Sequence, residues 1–185
     1  RDFPKGVSKE AIFCMDNYIY TIAPFMWGHV CVNVQMMLDH GINGMIAMLK
    51  QRLQDETLSE RQRDFLNTAI LEWQAALRYE MRHRDYYRTL AEKESDVQQK
   101  SKYEEMAARI ERVPANPATN FIDALQSISF MYLCLHAEDV GGHTLGRIDQ
   151  ILYPYYKKDI DEGVITKEEA EEYFFDWWLK FNLSH

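Results

Sequence analysis

Apolar side chains recur at helical spacing along almost the whole chain, and nowhere do β-branched residues alternate over a length that would make a strand. That regularity restricts the fold to a mainly α body. Its clearest instance runs through Leu66, Ile70, Trp73 and Leu77, which lay a single stripe along one face of a helix extending towards Leu90. Thr57-Leu58-Ser59-Glu60 precedes it with capping-box spacing, in which hydroxyl and carboxylate each satisfy the other residue's amide, so the long helix is expected to start there. Its opposite face is charged and solvated.

The same reading divides the rest of the chain. A first helix is expected over Ser8 to Tyr20, closed by Pro24, with Trp27-Gly28-His29 as a loop. A second covers Asn33 to Leu53, where Met37, Ile42, Met45, Ile46 and Leu49 share a face and Gly41 and Gly44 weaken or kink the middle. Ser95 to Glu111 forms another amphipathic helix. Val113-Pro114-Ala115-Asn116-Pro117 must then be extended, because two prolines three apart prevent a helix. Thr119 or Asn120 caps the next helix, which is apolar around most of its circumference from Phe121 to Leu135 and is therefore expected to be central. Gly141-Gly142 ends that element, and a second capping box at Thr166-Lys167-Glu168-Glu169 opens the last helix.

Charge and composition exclude several functions. A net charge of -8, with Lys and Arg interspersed among Asp and Glu, offers nothing to a phosphate backbone, so nucleic acid is not an expected partner. No run approaches the ~18 apolar residues that cross a bilayer, and Arg1-Asp2-Phe3-Pro4-Lys5 has no signal-peptide core, so a cytoplasmic protein is expected. The three cysteines, Cys14, Cys31 and Cys134, have no Cys-x-x-Cys spacing and are expected as small core residues rather than a disulfide framework, a zinc site or nucleophiles. Glu80-x-x-His83 has the spacing of a carboxylate-bridged dimetal ligand pair. A second Glu-x-x-His is missing, no metal is expected, and His83, set in Arg82-His83-Arg84-Asp85, reads as part of a solvated charged face. The chain has no initiating Met and stops directly behind the apolar segment Tyr173 to Leu179, as if cut from something longer.

Residues 143–157, His-Thr-Leu-Gly-Arg-Ile-Asp-Gln-Ile-Leu-Tyr-Pro-Tyr-Tyr-Lys, form a string too particular for composition to produce. It resembles a signature of the glycyl radical enzymes related to pyruvate formate-lyase. Three further blocks are similar to that family in the same order. They are Ile22 to Val30 with Leu38 to Met45 (a Gly-His-Val loop and a Gly-containing helix), Val113 to Pro117 with Phe121 and Ala124 to Ile128, and Ile165 to Ala170 with Trp178 to Asn182.

The resemblance implies that residues 1–185 are a partial domain, the helical N-terminal portion of a ten-stranded α/β barrel. It implies a cytosolic, anaerobic lyase in which a glycyl radical, installed by a separate radical S-adenosylmethionine activase, passes its spin to a cysteine. Homolytic cleavage of a C–O, C–N, C–S or C–C bond in a small polar substrate follows, with dehydration the first expectation, along with a homodimer and contact with the remainder of its own chain. Neither radical residue is present: the family's Gly-Cys-x-Glu and Arg-Val-x-Gly-aromatic loops match none of the three cysteines or eight glycines. No catalytic residue is therefore assigned, and the segment alone is expected to be inactive.

In the diol-dehydratase branch, a Gly-His-Val histidine and a His-Ser pair hydrogen-bond substrate hydroxyls. The resemblance carries these substrate contacts to His29, His143 and Thr144. A neutral imidazole suits the task because it donates with one nitrogen and accepts with the other. The loop from Glu138 to Arg147 departs from that pattern, appearing one residue shorter and carrying Asp139-Val140-Gly141-Gly142. Arg147 and Asp149 are expected as a buried pair pinning the loop, and Tyr153-Pro154-Tyr155-Tyr156 as a packed aromatic corner. Two rivals stand beside this reading: a helical scaffold that kept the family body but lost the radical half, and the dimetal bundle.

Overall fold

A computed structural model describes Lys9 and residues 27–137 and 141–181. In chain order these form β1 (Trp27–Cys31), α1 (Val34–Arg52), α2 (Glu60–Lys93), α3 (Val97–Arg112), α4 (Phe121–Ala137), β2 (Gly141–Thr144), α5 (Ile148–Asp161) and α6 (Lys167–Lys180). Most of the described residues are thus helical, as the periodicity requires. The helix expected over Ser8 to Tyr20 lies outside the described residues but for Lys9.

Five helix starts are set by side-chain caps. Asn33 accepts from the Met36 amide, Asp96 from that of Gln99, and Thr166 forms the expected reciprocal box with Glu169. The box before α2 sits two residues later than the sequence suggested. Ser59 pairs with Gln62, because Thr57 is taken up by the Asp55 carboxylate through both its amide and its hydroxyl. Asn120 caps α4 through the Asp123 amide at 2.8 Å.

Gly41 breaks the ladder of α1 with φ of 62°. The amides of Ile42 and Asn43, freed by the break, donate to the carbonyls of Pro114 and Ala115 at 2.9 and 3.0 Å, and the Leu38 carbonyl accepts from Ala118. The extended connector after α3 therefore completes the interrupted helix by giving these freed backbone groups partners. A Cβ at Gly41 would lie 2.5 Å from the Asn116 backbone, so only glycine permits this approach. Around the seam lies the core: Leu38, Ile42, Ala124 and Ile128 are wholly buried, and Trp177 of α6 closes it by donating to the Leu125 carbonyl at 3.0 Å.

α2 and α3 form a helical hairpin held at its surface by Arg88 and Glu111 (2.8 Å). α2 is the least buried helix for its length, with only Ile70, Glu80 and Ala91 fully covered and Trp73 and Leu77 partly so. Two local readings are corrected. Trp27-Gly28-His29 and Gly141-Gly142 belong to strands, which pair with each other in parallel across more than a hundred intervening residues. Such pairing draws on distant backbone, and no local alternation reports it. The Tyr153-Pro154-Tyr155-Tyr156 run is not a corner but the middle of α5, where Tyr156 packs edge-on against Phe121 and Tyr153 faces solvent.

Candidate functional site

The parallel strand pair brings together the segments in which the substrate contacts were expected. Val30 aligns with His143 and Cys31 with Thr144, while Trp27 aligns with Gly141. From the Trp27–Gly141 pair to the Val30–His143 pair, β1 advances three residues and β2 two, the count of a β-bulge between Trp27 and Val30. The backbones of His29 and His143 are thus on neighbouring strands; their side chains lie outside what the structure describes. Thr144 is exposed, and its hydroxyl accepts from the Gly146 amide at 3.3 Å, fixing the turn out of β2. Gly146 has φ of 70°, and a Cβ there would lie 3.7 Å from the Cys31 sulfur.

Beyond that turn the expected buried pair is an exposed one. Arg147 and Asp149 keep 71% and 65% of their side-chain surface in solvent while forming two parallel hydrogen bonds, 3.0 and 2.8 Å. The guanidinium bond holds the Asp149 carboxyl below its ordinary range and raises Arg147. The fork stiffens the entry to α5 without needing a low-dielectric core. Cys31 is exposed rather than a core residue, Cys134 is half-buried, neither forms a disulfide, and Cys14 lies outside the described residues.

A second feature was not anticipated. Between α2, α3, α4 and α6 lies a groove of about 520 Å³ whose lining includes Glu80, Arg109, Ser129, Phe130, Tyr173 and Trp177. Glu80 is 1% exposed, and neither carboxylate oxygen has a hydrogen-bond partner among the described residues. Burial pushes its pKa up to about 8, so the group is largely protonated at neutral pH. The signal was present in the sequence. Glu80 follows Leu77 by three and so occupies the next position of the very stripe made by Ile70, Trp73 and Leu77. His83 also lines the groove, half-buried, with its Nδ1 3.2 Å from the Tyr79 carbonyl and its ring edge-on to Tyr79, rather than lying on a fully solvated face. Among the described residues no three His, Cys, Asp or Glu side chains converge as a metal-ligand set. No helix among them is long and apolar enough to cross a membrane.

Comparison with known proteins fits this architecture. Isethionate sulfite-lyase of Bilophila wadsworthia is 34% identical over 160 residues, 83% of this chain and 19% of that protein. (2S)-3-sulfopropanediol dehydratase of Klebsiella oxytoca is 33% identical over 181 residues, 94% of this chain and 21% of that protein. A solved structure concerned with 1,2-propanediol dehydration in Roseburia inulinivorans superposes with a TM-score of 0.78 at 31% identity, covering 85% of this chain and 20% of that one. The chain spans about a fifth of the length of these relatives. The sequence model describing pyruvate formate lyase-like proteins matches residues 2–185, and the chain is a member of that family, within the glycyl radical enzymes.

Proposed function

We propose that this chain is the helical N-terminal part of a glycyl radical lyase, and that it supplies scaffold and one wall of the substrate pocket. The observation that carries the reading is the match over residues 2–185 together with the parallel pairing of β1 and β2, which sets the His29 and His143 segments side by side. The reaction is a radical elimination or cleavage of a small polar substrate. Two of the relatives are named for a sulfite-lyase and a dehydratase activity, so the bond broken is C–S or, as the first expectation, C–O.

The residues of this chain bind and orient. The imidazoles of His29 and His143 and the Thr144 hydroxyl are the groups that would offer donors and acceptors to the hydroxyls of a diol-like substrate, and a hydroxyl held in fixed geometry is placed for elimination. The radical glycine, when present and activated, supplies hydrogen-atom abstraction through a cysteine. No glycine or cysteine of this chain matches those loops, and no step of that chemistry is assigned to its residues. A separate activase, an anaerobic cytoplasmic setting and a homodimer belong to the same reading.

The test uses the full-length protein. Anaerobic activation with the activase should give the electron paramagnetic resonance doublet of a glycyl radical, followed by turnover of 1,2-propanediol, 3-sulfopropanediol or isethionate. His143→Ala should keep the radical signal and lower kcat/KM by about 100-fold, the usual scale for losing a positioning or proton-transfer group. A full-length chain that never acquires the signal, or a His143→Ala enzyme with unchanged kcat/KM, would sink the assignment.

A further inference from the structure

The other buried carboxylates among the described residues are provided for. Asp123 is wholly buried and bonds to Arg112 and to the Thr119 hydroxyl at 2.8 Å, and Asp159, 2% exposed, accepts from the Phe121 amide at 2.7 Å. Glu80 is buried to the same degree and has no partner among the described residues. It does lie in the lining of a groove large enough to admit part of another group, and its flexible side chain can turn the carboxylate into that space. Arg109 and Lys180 line the same groove, yet neither comes within ion-pair distance of Glu80 among the described residues.

The walls point to a polypeptide occupant. In the lining of the groove, Met106, Leu133 and Tyr173 expose 38% to 41% of their surface. Large apolar side chains left exposed around one groove mark a surface that another element covers. The relatives carry about five times the length of this chain.

From Glu80, unpaired among the described residues, and the exposed apolar lining around it we infer that the groove between α2, α3, α4 and α6 is the docking site of a further segment of the longer polypeptide, which inserts one basic side chain, Lys or Arg, against Glu80 and lays apolar residues on Met106, Leu133 and Tyr173. The inference rests on the reading that this chain is part of a longer enzyme. Docking converts a desolvated neutral acid into a buried ion pair, with the proton released to solvent. Two unsatisfied oxygens suit a guanidinium fork or an ammonium with a second donor. The pair would lock the outer α2–α3 hairpin onto the rest of the protein.

Two measurements on the full-length protein decide it. Replacing Glu80 with Met keeps the volume and removes the charge. If a basic side chain docks there, it is left buried and unpaired, and the apparent Tm should fall by about 2–4 °C or more; an unchanged or raised Tm overturns the inference. Independently, p-benzoylphenylalanine in place of Met106 should photocrosslink to a peptide beyond residue 185 containing Lys or Arg, located by mass spectrometry. Crosslinks confined to residues 27–181, as when Arg109 itself swings onto Glu80, or none beside a small amine seen in the native mass spectrum, overturn it as well. The two readings fail separately. A glycyl radical that forms normally in a protein whose Met106 site labels nothing beyond residue 185 removes the docking inference alone. A protein that crosslinks as expected but never acquires the radical removes the catalytic reading alone.

Discussion

The connector seam and the α2 groove each enclose a buried carboxylate, and they differ in how completely the chain covers its own polar groups. At the seam, Asp123 is matched by Arg112 and Thr119, the amides freed at Gly41 are matched by Pro114 and Ala115, and the surrounding Leu38, Ala124 and Ile128 are fully buried. At the groove, Glu80 is matched by no described residue and the nearby Leu133 and Tyr173 are still about 40% exposed. An unpaired buried carboxyl costs free energy that a paired one does not, so the seam is self-sufficient and the groove is a surface still to be covered.

Substitutions sharpen this contrast. The largest effect should come from Gly41→Ala, since the new Cβ meets the Asn116 backbone at 2.5 Å and the residue must hold φ of 62°. Strain and overpacking together should cost about 3–4 kcal/mol in chemical denaturation; a loss under about 1 kcal/mol would show that the seam can open without penalty. Within α4 the two regions can be compared directly. Ile128→Ala should cost about 3 kcal/mol because its site is fully enclosed, and Leu133→Ala at the groove no more than about 1. Equal costs would mean that the groove is covered as tightly as the seam.

The pH dependence comes next. Glu80 is raised from 4.5 to about 8 in the folded chain, so the folded state holds its proton more tightly than the unfolded one. Its contribution is fully present below about pH 4.5, is lost as pH rises towards 8, and is flat above that, a span on the order of 2–3 kcal/mol after solvent screening. Glu80→Gln should remove the slope in denaturation curves measured from pH 5 to 9. A basic partner in the groove would also remove it, which makes the wild-type slope a direct reading of whether the groove is open. An effect of the same small size belongs to Thr166→Ala, which deletes the cap of the α6 wall and should cost about 1 kcal/mol in the same assay.

These features were unequally legible in the sequence. The long helices, the kink at Gly41, the box at Thr166 and the central position of α4 follow from signals within a few residues of one another, so local reading found them. The box at Ser59 was displaced by two residues because Asp55 competed for Thr57, a contest between equivalent local bonds that spacing cannot arbitrate. Glu80 is a carboxylate at an apolar stripe position, but with His83 three residues on it also has the spacing of a metal-ligand pair, and spacing alone does not separate the two. The exposure of the Arg147 and Asp149 pair could not be read at all. Two residues apart, they bond to each other in or out of a core alike.

What the sequence by itself determined is family and helical identity, because both are written in residue spacing along one chain. Only the tertiary structure decided that residues 27–31 and 141–144 are partners, that the connector after α3 closes the break in α1, and that a carboxylate at position 80 is buried without a partner among the described residues. Each of these depends on which distant backbone or helix stands opposite, and the free energy of such a contact is set by desolvation and pairing across space, which residue order along the chain does not record.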